Sequence, residues 1–205
     1  TLSGLINNAG ILVSGPMLTL TLKEYHRQFD VNFFGVIEVT KQFLPLLGTD
    51  KTRNGKKGKI INISSTAGQV GAPFIGAYCA SKFALEGMSN SLRRELLLYG
   101  IDVIIIGLGA IKTSIWEKES ATTIPKAVLN SDYSKSMSLF NNRFREEGIN
   151  GMDADKACHK IYKIFEKKKP KTRYAIARRV FAEWTVLRYL IPNRTLDKLM
   201  KRMFK

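Results

Sequence analysis

Two short runs, Gly58–Ser64 and Ile101–Gly107, are built around β-branched apolar residues: Ile60, Ile61 and Ile63 in the first, and Ile101, Val103, Ile104, Ile105 and Ile106 in the second. A strand with one wet face alternates apolar with polar residues. A near-continuous apolar run instead reads as a strand buried on both faces, as in a parallel sheet covered by helices. Between and around these runs lie stretches with helical periodicity. Leu22–Leu47 reads as a long helix broken near Pro45-Leu46-Leu47-Gly48, with Thr21 as cap and Glu24 completing a capping box. Ala77–Leu98 reads as a second helix, apolar at Phe83, Leu85, Met88, Leu92, Leu96 and Leu97. Asp153–Lys169 reads as a third, stopped by Pro170 and followed by a short strand at Arg173–Ile176. Strands alternating with helices predict an α/β chain built on a parallel sheet.

The strand at Gly58–Ser64 hands over to small polar residues, Ser65-Thr66-Ala67-Gly68. Thirteen residues beyond Ser65 comes Tyr78, and four beyond that Lys82. On a helix, side chains four apart lie one above the other on the same face. A phenol titrates near pH ~10. An adjacent ammonium favours phenolate and is expected to pull that value down, leaving a group able to give or take a proton near neutrality. Other Tyr residues lack a Lys at this spacing.

Ser65 followed by Tyr78-Cys79-Ala80-Ser81-Lys82 resembles the active-site motif of the short-chain dehydrogenase/reductase family. The resemblance implies a Rossmann-like, doubly wound parallel sheet and catalysis by Ser65, Tyr78 and Lys82. Further motifs extend it. Asn7-Asn8-Ala9-Gly10 after the strand at Leu2–Ile6 resembles the family's second marker, in which Asn7 would tie strands while the loop lies against the cofactor. Asp30-Val31-Asn32-Phe33-Phe34-Gly35 resembles the helix whose Asn completes a catalytic tetrad, here Asn32. Leu108-Gly109-Ala110-Ile111-Lys112-Thr113 resembles the loop around the nicotinamide, with Leu108 where Pro is usual and Gly107 before it. Losing that Pro is expected to free the backbone and loosen this wall. The implied cofactor is NAD or NADP, contacted by Asn7, Ala9, Gly10, Tyr78, Lys82, Ile111 and Thr113.

One domain fits 205 residues at 44% hydrophobic composition. Ser114–Asn150 is irregular in pattern. The resemblance makes residues 114–150 a substrate lid, with Trp116, Ile124, Phe140 and Phe144 as its apolar underside. The two cysteines lack metal-ligand spacing and read as reduced and buried. No metal site is expected. No run approaches 18 apolar residues, and no secretory signal is visible; a cytoplasmic protein is expected.

Net charge is +16, but residues 156–205 hold 16 Lys/Arg against Glu166, Glu183 and Asp197, a net of +13. No nucleic-acid motif accompanies this excess. Apolar stripes run through the same segment, at Val180, Phe181, Trp184, Leu187 and Ile191 and again at Leu196, Leu199, Met200, Met203 and Phe204. Basic amphipathic helices of this kind lie on anionic membrane surfaces. The other reading packs one stripe on the core and leaves the charges solvated. The charged loop Thr49–Lys59 reads as solvated.

Dinucleotide-binding folds open with a strand, a Gly-rich turn and a helix N-terminus. No such fingerprint occurs, and Thr1 is not a methionine. The expectation is a fragment whose first nucleotide-binding half is missing from this chain, unstable and weak in cofactor binding when isolated. The alternative is a cofactorless truncated relative acting as a membrane-surface or partner-binding protein. For the enzyme, the resemblance implies interconversion of a secondary alcohol and a ketone. Steroid, retinoid or 3-hydroxyacyl-like compounds and a homo-oligomer are the substrates and assembly it suggests.

Overall fold

In the computed structural model, residues 1–116, 126–178 and 191–203 are described. Four strands, β1 (Gly4–Asn7), β2 (Lys59–Ser65), β3 (Asp102–Leu108) and β4 (Arg173–Ile176), form one sheet in sequence order, every pair parallel. The helices are α1 (Leu22–Phe29), α2 (Gly35–Leu44), α3 (Gly76–Glu95), α4 (Lys126–Leu129), α5 (Ser134–Ile149), α6 (Ala154–Phe165) and α7 (Asn193–Met203). A parallel strand cannot return by a tight turn, so crossovers cover the sheet on both faces. Among the described residues no helix is long and apolar enough to cross a membrane.

The two apolar runs lie at the sheet's centre. Their successive residues serve opposite faces. Ile61, Ile63, Ile104 and Ile106 pack with Ala157 and Ile164 of α6; Ile60 and Val103 pack with Leu47, Leu96 and Ile101 on the other side. Leu108 continues β3, in register with Ser65 and Ile176, and Gly109 N–H donates to Ile176 O at 2.9 Å. The loosened wall expected from the missing Pro is therefore not found. A residue with a backbone N–H extends the strand instead.

The long N-terminal helix is a succession. Thr21 caps α1 with the expected capping box, its N–H donating to Glu24 Oε2 at 2.7 Å. A π-helical turn, Asp30–Phe34, then passes into α2. The predicted second helix stops as an α-helix at Glu95 and tightens through Leu96–Tyr99, where Leu96 is buried but Leu97 and Leu98 point outward. The segment read as irregular contains the sixteen-residue α5, whose mixed surface hid its periodicity. Cys79 is buried as expected; Cys158 is exposed on the outer side of α6. Ile124, Val180, Phe181, Trp184, Leu187 and Phe204 lie outside the described residues.

A polar thread crosses the apolar sheet. Asn62, fully buried in β2, accepts from Asn7 Nδ2 at 2.8 Å and donates to Ser89 Oγ at 2.8 Å; Asn7 Nδ2 also donates to Thr40 Oγ1 at 3.0 Å. This chain of bonds joins β1, β2, α2 and α3. Buried polar groups left without partners cost about 1–3 kcal/mol each. Asn62→Ala should therefore lower unfolding free energy by roughly 1–3 kcal/mol, seen as a lower urea midpoint at unchanged slope. An unchanged midpoint would contradict the role given to Asn62.

Candidate active site

The strands deliver their C-terminal ends to one edge, and α3 starts there. Ser65 closes β2, and its Oγ accepts from Ala67 N–H at 3.1 Å, turning the chain into Thr66–Gly68. The same hydroxyl faces the Tyr78 side chain. Lys82, one turn on from Tyr78, is buried, and its Nζ donates to Ile63 O at 2.9 Å while lying 5.8 Å from the Tyr78 ring centre. The structure thus brings Ser65, Tyr78 and Lys82 together.

Asn32 joins them. It sits fully buried in the π-helical turn, a distortion frequent at functional sites. Its Oδ1 accepts from Ile11 N–H at 2.9 Å, and its Nδ2 donates to Ile11 O at 3.0 Å and to Ser81 Oγ at 3.2 Å. One turn earlier Gln28, equally buried, donates to Ile11 O at 2.8 Å and accepts from Val13 N–H at 2.7 Å. Together Gln28 and Asn32 clamp the loop after β1. Gln28 was not among the sequence-predicted residues; its i, i+4 relation to Asn32 is the one signal that could have singled it out.

The proposed cofactor contacts divide. Ala9, Gly10 and Thr113 are exposed along the strand-end edge. Asn7 commits its side chain to the interior thread, and Ile111 packs its side chain into the core beside Ile176. A side chain at Gly10 would put its Cβ 3.4 Å from Asn32 Oδ1 and 3.8 Å from Lys82 Nζ. Gly10 therefore keeps the space before both groups open. Lys82 has three donor hydrogens and bonds to Ile63 O, which leaves donors for a sugar hydroxyl. These residues fit a nicotinamide riboside lying across Gly10.

Electrostatics differ from the expected pattern at Tyr78. Burial raises its pKa above the usual phenol value; the Ser65 hydroxyl opposes this, and Cys79 adds to it. The Lys82 charge does not pull it down: with its own pKa lowered to about 8, Lys82 is already uncharged where a phenol raised above 10 would titrate. Tyr78 is thus held as the neutral phenol, the proton-donating form. Burial also lowers Lys82, to about 8. Further along α3, buried Glu86 pairs with Arg173 of β4 and accepts from Gln69 Nε2 at 3.4 Å, tying the turn after Ser65 to the last strand.

A row of aromatic rings joins the loop before α3 to α5. Phe74 stands 5.5 Å from Phe140 and 6.1 Å from Tyr133; Phe140 stacks on Phe144 at 5.4 Å, and Phe144 meets Trp116 at 4.4 Å. Phe74 is the one non-glycine described residue with positive φ, 63°. This conformation is rare for a bulky side chain and concentrates at functional sites.

A parallel α/β sheet with a Ser–Tyr–Lys cluster at its strand ends defines an oxidoreductase of the nicotinamide-dependent kind. The family profile described as short chain dehydrogenase matches residues 1–123. The chain is 37% identical over 204 residues to an NADPH-dependent 3-dehydrocapnine reductase of Ornithobacterium rhinotracheale, covering 100% of this chain and 71% of that protein. It is 36% identical over 169 residues to a 3-ketodihydrosphingosine reductase of Bacteroides thetaiotaomicron, covering 82% of this chain and 60% of that one. A short chain dehydrogenase/reductase of Burkholderia phymatum, solved in complex with NAD, shares the fold at TM-score 0.72 and 20% identity, over 89% of this chain and 63% of that chain. The chain belongs to the short-chain dehydrogenase/reductase family.

The displaced pKa of Lys82 carries a stability consequence. Its folded value, about 8, lies below its ordinary 10.5. Below pH 8 the folded state carries the full cost of a desolvated ammonium, up to about 3 kcal/mol at 1.36 kcal/mol per pKa unit. Between 8 and 10.5 the unfolded state binds more protons, so this cost shrinks as pH rises. Lys82→Met should therefore unfold at higher urea than the parent at pH 7, with the difference narrowing toward pH 10. A variant less stable than the parent at pH 7, or a pH-independent difference, would contradict the assigned cost.

Proposed function

We propose that the protein reduces the ketone of a long-chain, largely apolar substrate to a secondary alcohol with NADPH. The carrying observation is the meeting of Ser65, Tyr78 and buried Lys82 at the strand ends, with Lys82 Nζ 5.8 Å from the Tyr78 ring centre. A nicotinamide bound across Gly10 would supply the hydride to the carbonyl carbon. Tyr78 would give its hydroxyl proton to the carbonyl oxygen, and Ser65 would orient and polarise that oxygen. Lys82 would hold the ribose and stabilise the resulting phenolate. Asn32 Oδ1, which accepts one bond from Ile11, has capacity for a second and would hold the water that returns a proton to the path. Ala9, Ile111 and Thr113 would border the cofactor, with Asn7 fixing the loop beneath it.

Two observations support the apolar substrate. Phe74, Phe140, Phe144 and Trp116 form one run of ring contacts, an aromatic surface that suits an apolar chain. The named relatives act on 3-dehydrocapnine and 3-ketodihydrosphingosine, and the first depends on NADPH. A neutral phenol favours reduction at neutral pH; oxidation needs phenolate and is favoured as pH rises.

In the protein as its gene encodes it, Tyr78→Phe should abolish turnover while leaving NADPH binding measurable by fluorescence titration. Near-normal turnover would remove Tyr78 from the proton path. Across ketones of increasing chain length, Phe140→Ala should lower kcat/KM for the long members by roughly tenfold or more, as expected for one lost aromatic contact, and leave the shortest unaffected. Higher activity on sugars or polyols than on lipophilic ketones would overturn the substrate class.

A further inference from the structure

The catalytic groups occupy the edge where the parallel strands end. At the opposite edge, where strands begin, three segments meet. The loop before β2 is held on the first residue: the Thr1 amino group donates to Asn54 O at 3.4 Å and its Oγ1 to Lys56 O at 2.7 Å. The tightened turn Leu96–Tyr99 leads to β3 through Gly100 (φ 66°), whose added Cβ would lie 3.9 Å from Lys57 Cγ. The segment before β4 is anchored by Lys59, whose Nζ donates to Phe165 O at 2.7 Å and Lys167 O at 2.6 Å. Lys57 thus joins the second segment to the first, and Lys59 joins the third to the start of β2.

That end of the sheet carries a particular chemistry. Lys51, Lys56 and Lys57 are exposed in the first segment, and Lys167, Lys168, Lys169 and Lys171 in the third. None of these lysines is in salt-bridge range of a carboxylate among the described residues, whereas Arg53 is paired with Asp50. In the second segment Leu97 and Leu98 stand 69% and 88% exposed. Lysines alone would suit any polyanion. Two adjacent leucines held outward at the same end suit a partner with an aliphatic layer beneath its negative charge.

We propose that this end of the sheet docks on an anionic phospholipid surface, with Leu97 and Leu98 entering the interface and the two lysine segments lying at the headgroups. The catalytic edge then faces away from the bilayer. The basic surface expected over 156–205 is thereby redrawn. Lys167–Lys171 belong to it, and Lys51–Lys57, read from sequence as solvated, join it. The basic helix α7 is a separate element that this docking does not require.

Co-sedimentation with phosphatidylcholine vesicles, with and without phosphatidylglycerol, tests the proposal at low and high salt. The protein should bind the anionic vesicles at low salt and be released as salt shortens the screening length. Lys167→Glu/Lys168→Glu/Lys169→Glu should weaken partitioning roughly a hundredfold, at about fivefold per lysine. Leu97→Ser/Leu98→Ser should also weaken it. Both variants should keep the parent's circular dichroism melt and its solution turnover. No binding at low salt, or equal binding to neutral vesicles, would overturn the proposal. So would loss of binding on Lys198→Glu/Lys201→Glu in α7 with none on the loop-lysine variant. Single-stranded DNA displacing the vesicles, with the leucine variant binding like the parent, would make the surface a general polyanion site and equally overturn it.

Discussion

A single buried ammonium organises the strand-end site of this protein. Lys82 leaves water to donate to the Ile63 carbonyl at the end of β2. Removing a charge from water is costly unless hydrogen bonds compensate. That contact also fixes where α3 stands along the sheet. Tyr78 is one turn before Lys82 and so falls beside Ser65. Ser81 meets Asn32, Glu86 meets Arg173, and Ser89 meets Asn62 on the successive turns. An apolar helix face can slide by a turn at small cost, because leucines are interchangeable. A face matched residue by residue to polar partners cannot, since each slip would leave buried groups without bonds. The polar matches set the register, and the register sets the distance between phenol and serine.

Much of this was legible in the sequence because it is local. Runs of β-branched apolar residues announced the central strands; Tyr78 and Lys82 share a face by helix geometry alone. Thr21 and Glu24 cap a helix through bonds three residues apart. What was hidden depends on contacts across the fold. Asn62 lies inside a run that reads as core, and its partners Asn7 and Ser89 lie 55 and 27 residues away. Gln28 looked like an ordinary helical surface residue until the loop at Ile11–Val13 folded over it. The direction of the Tyr78 shift was misjudged for a similar reason. Sequence spacing shows that an ammonium is near, but not that burial raises the phenol and lowers the lysine.

The two ends of the sheet show a division of labour. Strand C-termini converge with the start of α3 and the aromatic row, where Phe74 is held at positive φ between the strand-end loop and α5. Strand N-termini carry surface loops, tied to one another by Thr1, Lys57 and Lys59. The same seven-residue strands, β2 and β3, connect both ends. The proposed chemistry at one edge and the proposed docking at the other use separate loops, so each can vary without the other.

The central claim is that Lys82 is a desolvated cation held at a strand carbonyl, with Tyr78 left neutral beside it. Direct titration of the lysine side-chain nitrogens by NMR, with ¹⁵N label and Lys82→Met to assign the resonance, tests it most simply. The account predicts a lysine resonance that titrates near 8, below the ordinary 10.5 of Lys82, and is missing in the variant. A Lys82 resonance titrating with the bulk would contradict it.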